Sequence, residues 1–102
     1  MLELRPTCEQ CNKTLPPASA EARICTYECT YCADCVDDIL GNVCPNCGGG
    51  FVPRPIRPAT NWKNNNFLGQ DPASSQVRHR PIDPAVHAAF AARIRSIPPE
   101  QR

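Results

Sequence analysis

The chain has 102 residues, eight cysteines, twelve prolines and a formal net charge of +1 at pH 7. This length is sufficient for one small domain and a tail, and it excludes a large apolar core. No apolar stretch approaches the roughly 18 residues of a membrane span, and no signal-peptide pattern precedes the first cysteine. We therefore expect a cytoplasmic protein, without membrane contact, whose thiols stay reduced.

The first half of the chain predicts a small α+β domain. "LELRP" and "EARIC" are predicted to be short extended segments on either side of a surface loop. The run "ADCVDDIL" predicts about two helical turns with Val36, Ile39 and Leu40 on the face toward the core, and Gly41 ends this helix. "GGGFVPR" is predicted to return as a short strand. Apolar residues are too few to stabilise this half alone, so metal ions or disulfides must contribute.

From residue 53 the chain has a different composition. Residues 53–82 are rich in proline and asparagine and are predicted to form an irregular linker. Residues 83–102 are predicted to contain a C-terminal amphipathic helix from about 84 to 97, with Asp83 as its cap and Pro84 in its first turn. His79 and His87 lack ligand spacing and are predicted to lie on the surface. An apolar stripe at helical spacing is expected to pack on the first half or on a second copy, and comprises Val86, Ala89, Phe90, Ile94 and Ile97.

Charge divides at the same boundary. Residues 1–50 have a formal charge of −4 and residues 51–102 a formal charge of +5. A four-thiolate zinc site adds roughly two negative charges, so the first half is expected to repel nucleic acid. The tail is expected to be attracted to the first half or to an acidic partner through its arginines, namely Arg54, Arg57, Arg78, Arg80, Arg93 and Arg95.

The cysteines form four closely spaced pairs in the first half. A two-residue gap lets both sulfurs reach one ion from a tight turn, and Asn12 and Gly48 tolerate the positive φ that follows such a turn. Four pairs make two closed sites, and a closed four-cysteine site is structural rather than catalytic. With reduced thiols, two zinc ions per chain are favoured over a disulfide framework. The pairs are Cys8 and Cys11, Cys25 and Cys29, Cys32 and Cys35, and Cys44 and Cys47.

Spacing alone leaves open which pairs share an ion. Four pairs combine in three ways, and both a sequential and an interleaved combination satisfy the local geometry. Sequential pairing gives two independent zinc units, whereas interleaved pairing gives one domain in which the two sites hold each other in place.

The order of the gaps resembles that of a RING finger. Two, thirteen, three, two, two, eight and two residues separate successive cysteines, and the run "CTYCADCVDDIL...CPNC" is similar to the RING stretch in which a ligand pair opens a short helix. The resemblance covers about residues 4–52 and implies a RING-like cross-brace domain over 1–52, with Cys29 standing where RING fingers usually have histidine. It implies that one zinc ion is bound by Cys8, Cys11, Cys32 and Cys35 and the other by Cys25, Cys29, Cys44 and Cys47.

The chain is also similar to a family of short bacterial cysteine-rich proteins of unknown function. "LELRPTCEQC", "EARICTYECTYCADC" and "CPNCGG" followed by "RPIRPA" are the stretches that carry this likeness. The family implies no activity.

The leading hypothesis is a non-enzymatic, zinc-binding protein-interaction module with an unspecified protein partner. Closed metal sites, the lack of a nucleophile motif and the lack of a βαβ context for a redox dithiol all disfavour an enzyme. The C-terminal helix makes self-association a further expectation.

Two alternatives remain. The RING likeness suggests a ubiquitin-like ligase or adaptor, but it implies contact residues that this chain matches only in part. Gln10 and Gly48 differ from the usual apolar and basic residues, Ile39 replaces a frequent tryptophan, and Pro45 agrees. A nucleic-acid-binding finger that uses the basic tail is the other alternative.

Overall fold

A small three-stranded antiparallel sheet lies at the centre of the first half. The computed structural model describes residues 1–102 and gives the strands as β1 (Ala22–Ile24), β2 (Thr30–Cys32) and β3 (Val52–Pro53). The strand order is β2-β1-β3, so the hairpin of β1 and β2 is extended by a strand that returns after the last cysteine.

Only one of the two predicted extended segments at the start of the chain is a strand. β1 lies within "EARIC", and its Ile24 pairs with Thr30 of β2 and with Val52 of β3. "LELRP" contains no strand, because its backbone bonds to the tail instead. The carbonyl of Leu4 accepts a hydrogen bond from the Ser74 N–H at 3.0 Å.

The predicted helix is present, but its winding changes along its length. It begins as α1 (Ala33–Cys35) and continues as a π-helical turn (Val36–Leu40). The Gly41 N–H bonds to the carbonyl of Val36, and Gly41 ends the helix with φ of 61°, which favours glycine. Because the π turn is wider than an α-turn, Ile39 leaves the face shared by Val36 and Leu40. The prediction that Ile39 faces the core is therefore wrong, and its side chain is 44% exposed.

The core of the first half consists largely of thiols. The main cluster contains eleven buried residues, of which six are cysteines. Its remaining members are Leu15, Ala22, Tyr31, Val36 and Leu40. Apolar burial of about 25 cal/mol per Å² from so few side chains is small, so this core needs a second source of stability.

Residues 54–82 contain no helix or strand, yet they are attached to the first half. Arg54 is buried and donates to three carbonyls, those of Arg5 at 2.9 Å, Leu15 at 3.3 Å and Pro16 at 3.0 Å. Further along, Arg57 donates to the carbonyl of Leu2 at 2.6 Å. These arginines fasten the chain to the first half through backbone carbonyls rather than through carboxylates.

The C-terminal helix, α2 (Pro84–Ile94), ends three residues before the predicted position. Asp83 caps it by accepting hydrogen bonds from two N–H groups of the first turn, as its sequence predicts. A 3₁₀ turn (Pro99–Gln101) follows. None of the helices is both long and apolar enough to cross a membrane.

The face of α2 that packs on the first half differs from the predicted stripe. Val86 is 67% exposed, whereas His87 and Ala91 are buried. His87 Nε2 lies 3.0 Å from the carbonyl oxygen of Leu40, so the prediction that His87 is a surface residue is wrong. The spacing of His87, Phe90, Ala91 and Ile94 is itself helical, and counting the histidine as polar concealed this face.

Candidate metal centres

Two short turns present cysteines in the same way. We call residues 8–12 the first knuckle and residues 44–48 the second knuckle. In the first, the Asn12 N–H donates to the carbonyl of Cys8 at 2.9 Å; in the second, the Gly48 N–H donates to the carbonyl of Cys44 at 2.8 Å. The last residue of each has positive φ, 63° for Asn12 and 77° for Gly48. The predicted backbone of both turns is therefore confirmed.

The first cluster joins the first knuckle to α1. The Sγ atoms of Cys8, Cys11, Cys32 and Cys35 all lie within 4.8 Å of one another. Cys11 and Cys32, one from each pair, have their sulfurs 3.8 Å apart. Ligands at ~2.3 Å from a tetrahedral zinc ion have sulfurs separated by ~3.8 Å. The separation of Cys11 and Cys32 therefore equals that of two ligands on one zinc ion, and the four sulfurs could hold a metal ion.

The second cluster joins the second knuckle to the end of β1. The Sγ atoms of Cys25, Cys44 and Cys47 lie within 4.8 Å of one another. Two of them accept backbone hydrogen bonds, Cys25 from Tyr27 N–H and Cys47 from Gly49 N–H, each at 3.4 Å. Burial raises the pKa of Cys25, and the hydrogen bond from Tyr27 N–H acts against that shift.

Cys29 lies beside the second cluster, but its Sγ atom does not lie within 4.8 Å of all three of the other sulfur atoms. Hydrogen bonding with the Cys44 thiol lowers the pKa of Cys29 to about 6, and bonding with Cys25 acts in the same direction. The preceding Glu28 has φ of 66°, a conformation that disfavours a non-glycine residue. Cys29 is thus held next to two members of the cluster by a strained turn.

The clusters combine the pairs in alternating order along the chain. The first pair meets the third, and the fourth pair meets Cys25, with Cys29 adjacent. Cys29 immediately precedes β2 and Cys32 is its last residue. The two ends of this short strand therefore lead to different clusters.

Burial of these thiols makes a cation favourable. Desolvation is the main reason that the pKa values of Cys32 and Cys35 are raised. A group of buried thiols can lose its protons only if positive charge replaces them. All donors in both clusters are sulfur, and neither histidine belongs to them. Soft thiolate ligands in a tetrahedral set suit zinc.

Three buried polar residues help to hold the site together, and sequence analysis did not identify this role. Glu9, inside the first knuckle, accepts hydrogen bonds from the Arg5 guanidinium at 2.8 Å and from the Thr30 N–H at 2.5 Å. Arg54 and His87 bond to carbonyls, as described above. The i, i+4 spacing of Arg5 and Glu9 is a weak sequence signal, and for Arg54 there is none.

These features define a small cysteine-rich protein with two thiol clusters that could hold metal ions. The chain belongs to a family described as "Protein of unknown function (DUF1272)", whose model matches residues 1–57. The predicted membership of a family of short cysteine-rich proteins is therefore confirmed.

A relative is known from the bacterium Rhizobium meliloti (strain 1021), where it is described as an uncharacterized protein. It is 59% identical to this chain over 63 residues, which make up 62% of this chain and 75% of the relative. No solved structure matches the chain.

Proposed function

We propose that this protein is a non-enzymatic protein-interaction module built on two structural zinc ions. One ion is bound by Cys8, Cys11, Cys32 and Cys35. The other is bound by Cys25, Cys29, Cys44 and Cys47. The observation that carries the proposal is the meeting of four sulfurs within 4.8 Å of one another in a core that is otherwise too small to be stable.

A RING-like cross-brace accounts for the alternating order of the pairs. In a cross-brace each ion joins segments that are distant in the chain, so the two ions stabilise one domain. Cys29 is the fourth ligand of the second site in this proposal, because it lies beside Cys44 and Cys25, which lower the pKa of its thiol. The sulfur-only donor set leaves no position for a water molecule, so the ions supply stability rather than catalysis.

The polar groups that the two knuckles expose to solvent support an interaction role. The knuckles fix loops whose polar groups are available for contacts, and the tail already uses one of them. Gln10, in the first knuckle, accepts a hydrogen bond from the Ile82 N–H at 2.8 Å through its side-chain carbonyl. Binding of an extended segment at a metal-fixed loop is therefore within the capacity of this domain.

A RING-type ligase is a weaker proposal for this chain. Gln10 and Pro45 occupy positions that resemble RING contact positions, and both are bordered by the tail, because Pro45 lines a small cavity with Ile82 and Phe90. A conjugating enzyme would have to displace these residues. In a discharge assay with charged conjugating enzymes, we expect no zinc-dependent acceleration. Acceleration that disappears in Ile39→Ala or Pro45→Ala would favour the ligase instead.

A nucleic-acid-binding role is a weaker proposal, because two of the tail arginines on which it relied are already engaged. Arg54 is buried, and Arg57 is engaged by the carbonyls of Leu2 and Asp71. Fewer tail arginines are therefore free to neutralise phosphates than the sequence suggests.

Cadmium substitution tests the assignment of ligands to ions. In spectra of the ¹¹³Cd-loaded protein, we expect the β-protons of Cys8 and Cys32 to correlate with one cadmium resonance and those of Cys25 and Cys44 with the other. Cys29→Ser is expected to remove only the second resonance. Correlation of Cys8 and Cys25 with the same cadmium would contradict the cross-brace and support sequential pairing.

A further inference from the structure

Residues 78–82, with the sequence RHRPI, lie in an extended course across the first knuckle. We call them the RHRPI segment. The Arg80 N–H donates to the carbonyl of Glu9 at 2.8 Å, and the Ile82 N–H donates to the Gln10 side chain at 2.8 Å. His79 Nε2 lies 3.1 Å from the carbonyl oxygen of Gln10. Two main-chain N–H groups of the segment, those of Arg80 and Ile82, thus bond to two adjacent residues of the first knuckle.

The side chains of the segment match the surface beneath it. Ile82 packs against the buried core cluster. Arg78 Nη2 is 3.7 Å from a carboxylate oxygen of Glu3. The segment begins with the basic Arg78, which faces the acidic Glu3, and it ends with the apolar Ile82, which faces the apolar core cluster. Main-chain bonds combined with side-chain pockets are the usual means by which a domain recognises an extended peptide.

The fit between the segment and the domain is incomplete. A cleft of about 300 Å³, open to solvent, lies between them and is lined from the domain side by Glu9, Tyr31 and Pro45 and from the segment by Arg80 and Ile82. Nε of Arg78 is buried without a hydrogen-bond partner. A buried donor without a partner is unfavourable, and the open cleft leaves room for side chains that the segment does not supply. The site therefore accommodates this class of peptide without being optimised for the segment that occupies it.

We propose that the first knuckle forms a docking groove for extended basic peptides of the pattern Arg-x-Arg-Pro-aliphatic, and that the RHRPI segment occupies it in cis. This inference rests on the proposed function and specifies its partner class. A tethered occupant acts at an effective concentration of order mM. A partner peptide must therefore compete with the segment, and it gains affinity where its side chains fill more of the cleft than Arg80 and Ile82 do.

Competition between cis and trans peptides tests the proposal with the intact chain. The probe is a fluorescent peptide of residues 74–85, SSQVRHRPIDPA. Its affinity is measured for the zinc-loaded wild type and for Ile82→Ser, which weakens the cis occupant. Because apparent affinity rises with the fraction of open sites, we expect at least about tenfold tighter binding to Ile82→Ser. Arg78→Ala, a milder change in the same segment, is expected to give about a threefold gain.

Matched controls separate groove binding from general effects. Val77→Ser alters an exposed neighbour of the segment and is expected to bind the peptide as the wild type does. Adding Gln10→Ala to Ile82→Ser is expected to remove most of the gain, because it removes the acceptor for Ile82 N–H. A peptide of the same composition in scrambled order is expected to bind at least about tenfold more weakly.

Zinc content is measured in every sample, so the two proposals can fail separately. Two zinc ions per chain with no gain in Ile82→Ser and Arg78→Ala would overturn the docking groove and leave the proposed function intact. Equal binding of the scrambled peptide would also overturn it. Folded protein without zinc would contradict the proposed function, and the docking inference with it.

Discussion

The two halves of this protein are held in place by different kinds of contact. Residues 1–52 surround two thiol clusters and have little other core. Residues 53–102 contain no cysteine and attach through guanidinium groups, backbone hydrogen bonds and one face of a helix. This difference indicates that the tail depends on the first half, because the tail packs on surfaces that exist only when the first half is folded. Chelation and the substitutions described next each weaken one kind of contact, and the half that loses stability or amide protection shows what that contact holds in place.

Metal removal is expected to have the largest effect. A structural zinc ion contributes roughly 10–16 kcal/mol in zinc-finger peptides, and a whole small domain has only about 5–15 kcal/mol of stability. Chelation should therefore abolish amide-exchange protection in residues 1–52 and, with it, protection in α2. The control is the same chelator saturated with zinc beforehand. Protection retained in β1 and β2 after complete metal removal would show that the first half does not depend on metal.

Arg54→Met is expected to be the most destabilising change in the tail. It removes the donors for three carbonyl groups, each hydrogen bond contributing about 1 kcal/mol, so the free energy of unfolding should fall by roughly 3 kcal/mol. Urea denaturation of the zinc-loaded protein measures this. Arg93→Met, on the exposed side of α2, is the control and should change stability by about 0.5 kcal/mol or less. Equal losses of stability in Arg54→Met and Arg93→Met would contradict the role of Arg54 in attaching the tail.

Gly48→Ala and Gly41→Ala compare two glycines that share positive φ but differ in their surroundings. A Cβ at Gly41 would meet nothing within 4 Å, whereas one at Gly48 would lie 3.1 Å from Ile94 Cδ1 and 3.3 Å from Phe90 Cζ. The backbone strain is about 1–2 kcal/mol in both. We expect Gly48→Ala to cost about 1 kcal/mol more and to displace α2, which loss of amide protection at Phe90 would report. If both variants lose equal stability and α2 stays protected, the packing of α2 on the second knuckle is refuted.

His87→Ala should have the smallest effect of the four. It removes the hydrogen bond to the carbonyl of Leu40 and leaves that carbonyl at a buried position without this partner, at a cost of about 1–2 kcal/mol. Because the acceptor is a carbonyl, Nε2 of His87 carries the proton. Val86→Ala, one residue earlier and exposed, is the control and should be nearly neutral. Thermal denaturation resolves the difference, and similar melting temperatures for both variants would contradict the buried role of His87.

How much the sequence could predict differs between the halves for a physical reason. Both knuckles and the cap at Asp83 depend on a few adjacent residues, so local spacing and residue type were enough to predict them. The wide turn at Val36–Leu40, which exposes Ile39, depends on how the helix meets the rest of the domain. Periodicity alone could not reveal it.

The sequence predicted that the tail would be attracted to the first half, but the particular contacts that attach it were beyond sequence analysis for a similar reason. Arg54 is followed by 48 further residues and contacts carbonyls up to 49 positions away in the chain. No pattern of residue types predicts which carbonyls lie within its reach. The position of His87 was predictable in principle, since it shares helical spacing with Phe90 and Ile94, but a histidine without an identified acceptor gave no reason to bury it.

Native mass spectrometry of the intact, reduced chain measures how many zinc ions each chain binds. We predict a single folded species with two zinc ions per chain, and one zinc ion in Cys29→Ser, which disrupts only the second site. His79→Ala, which alters an exposed residue outside both clusters, should retain two. A folded wild type with one zinc ion or none, or with disulfide bonds among the eight cysteines under reducing conditions, would contradict the account.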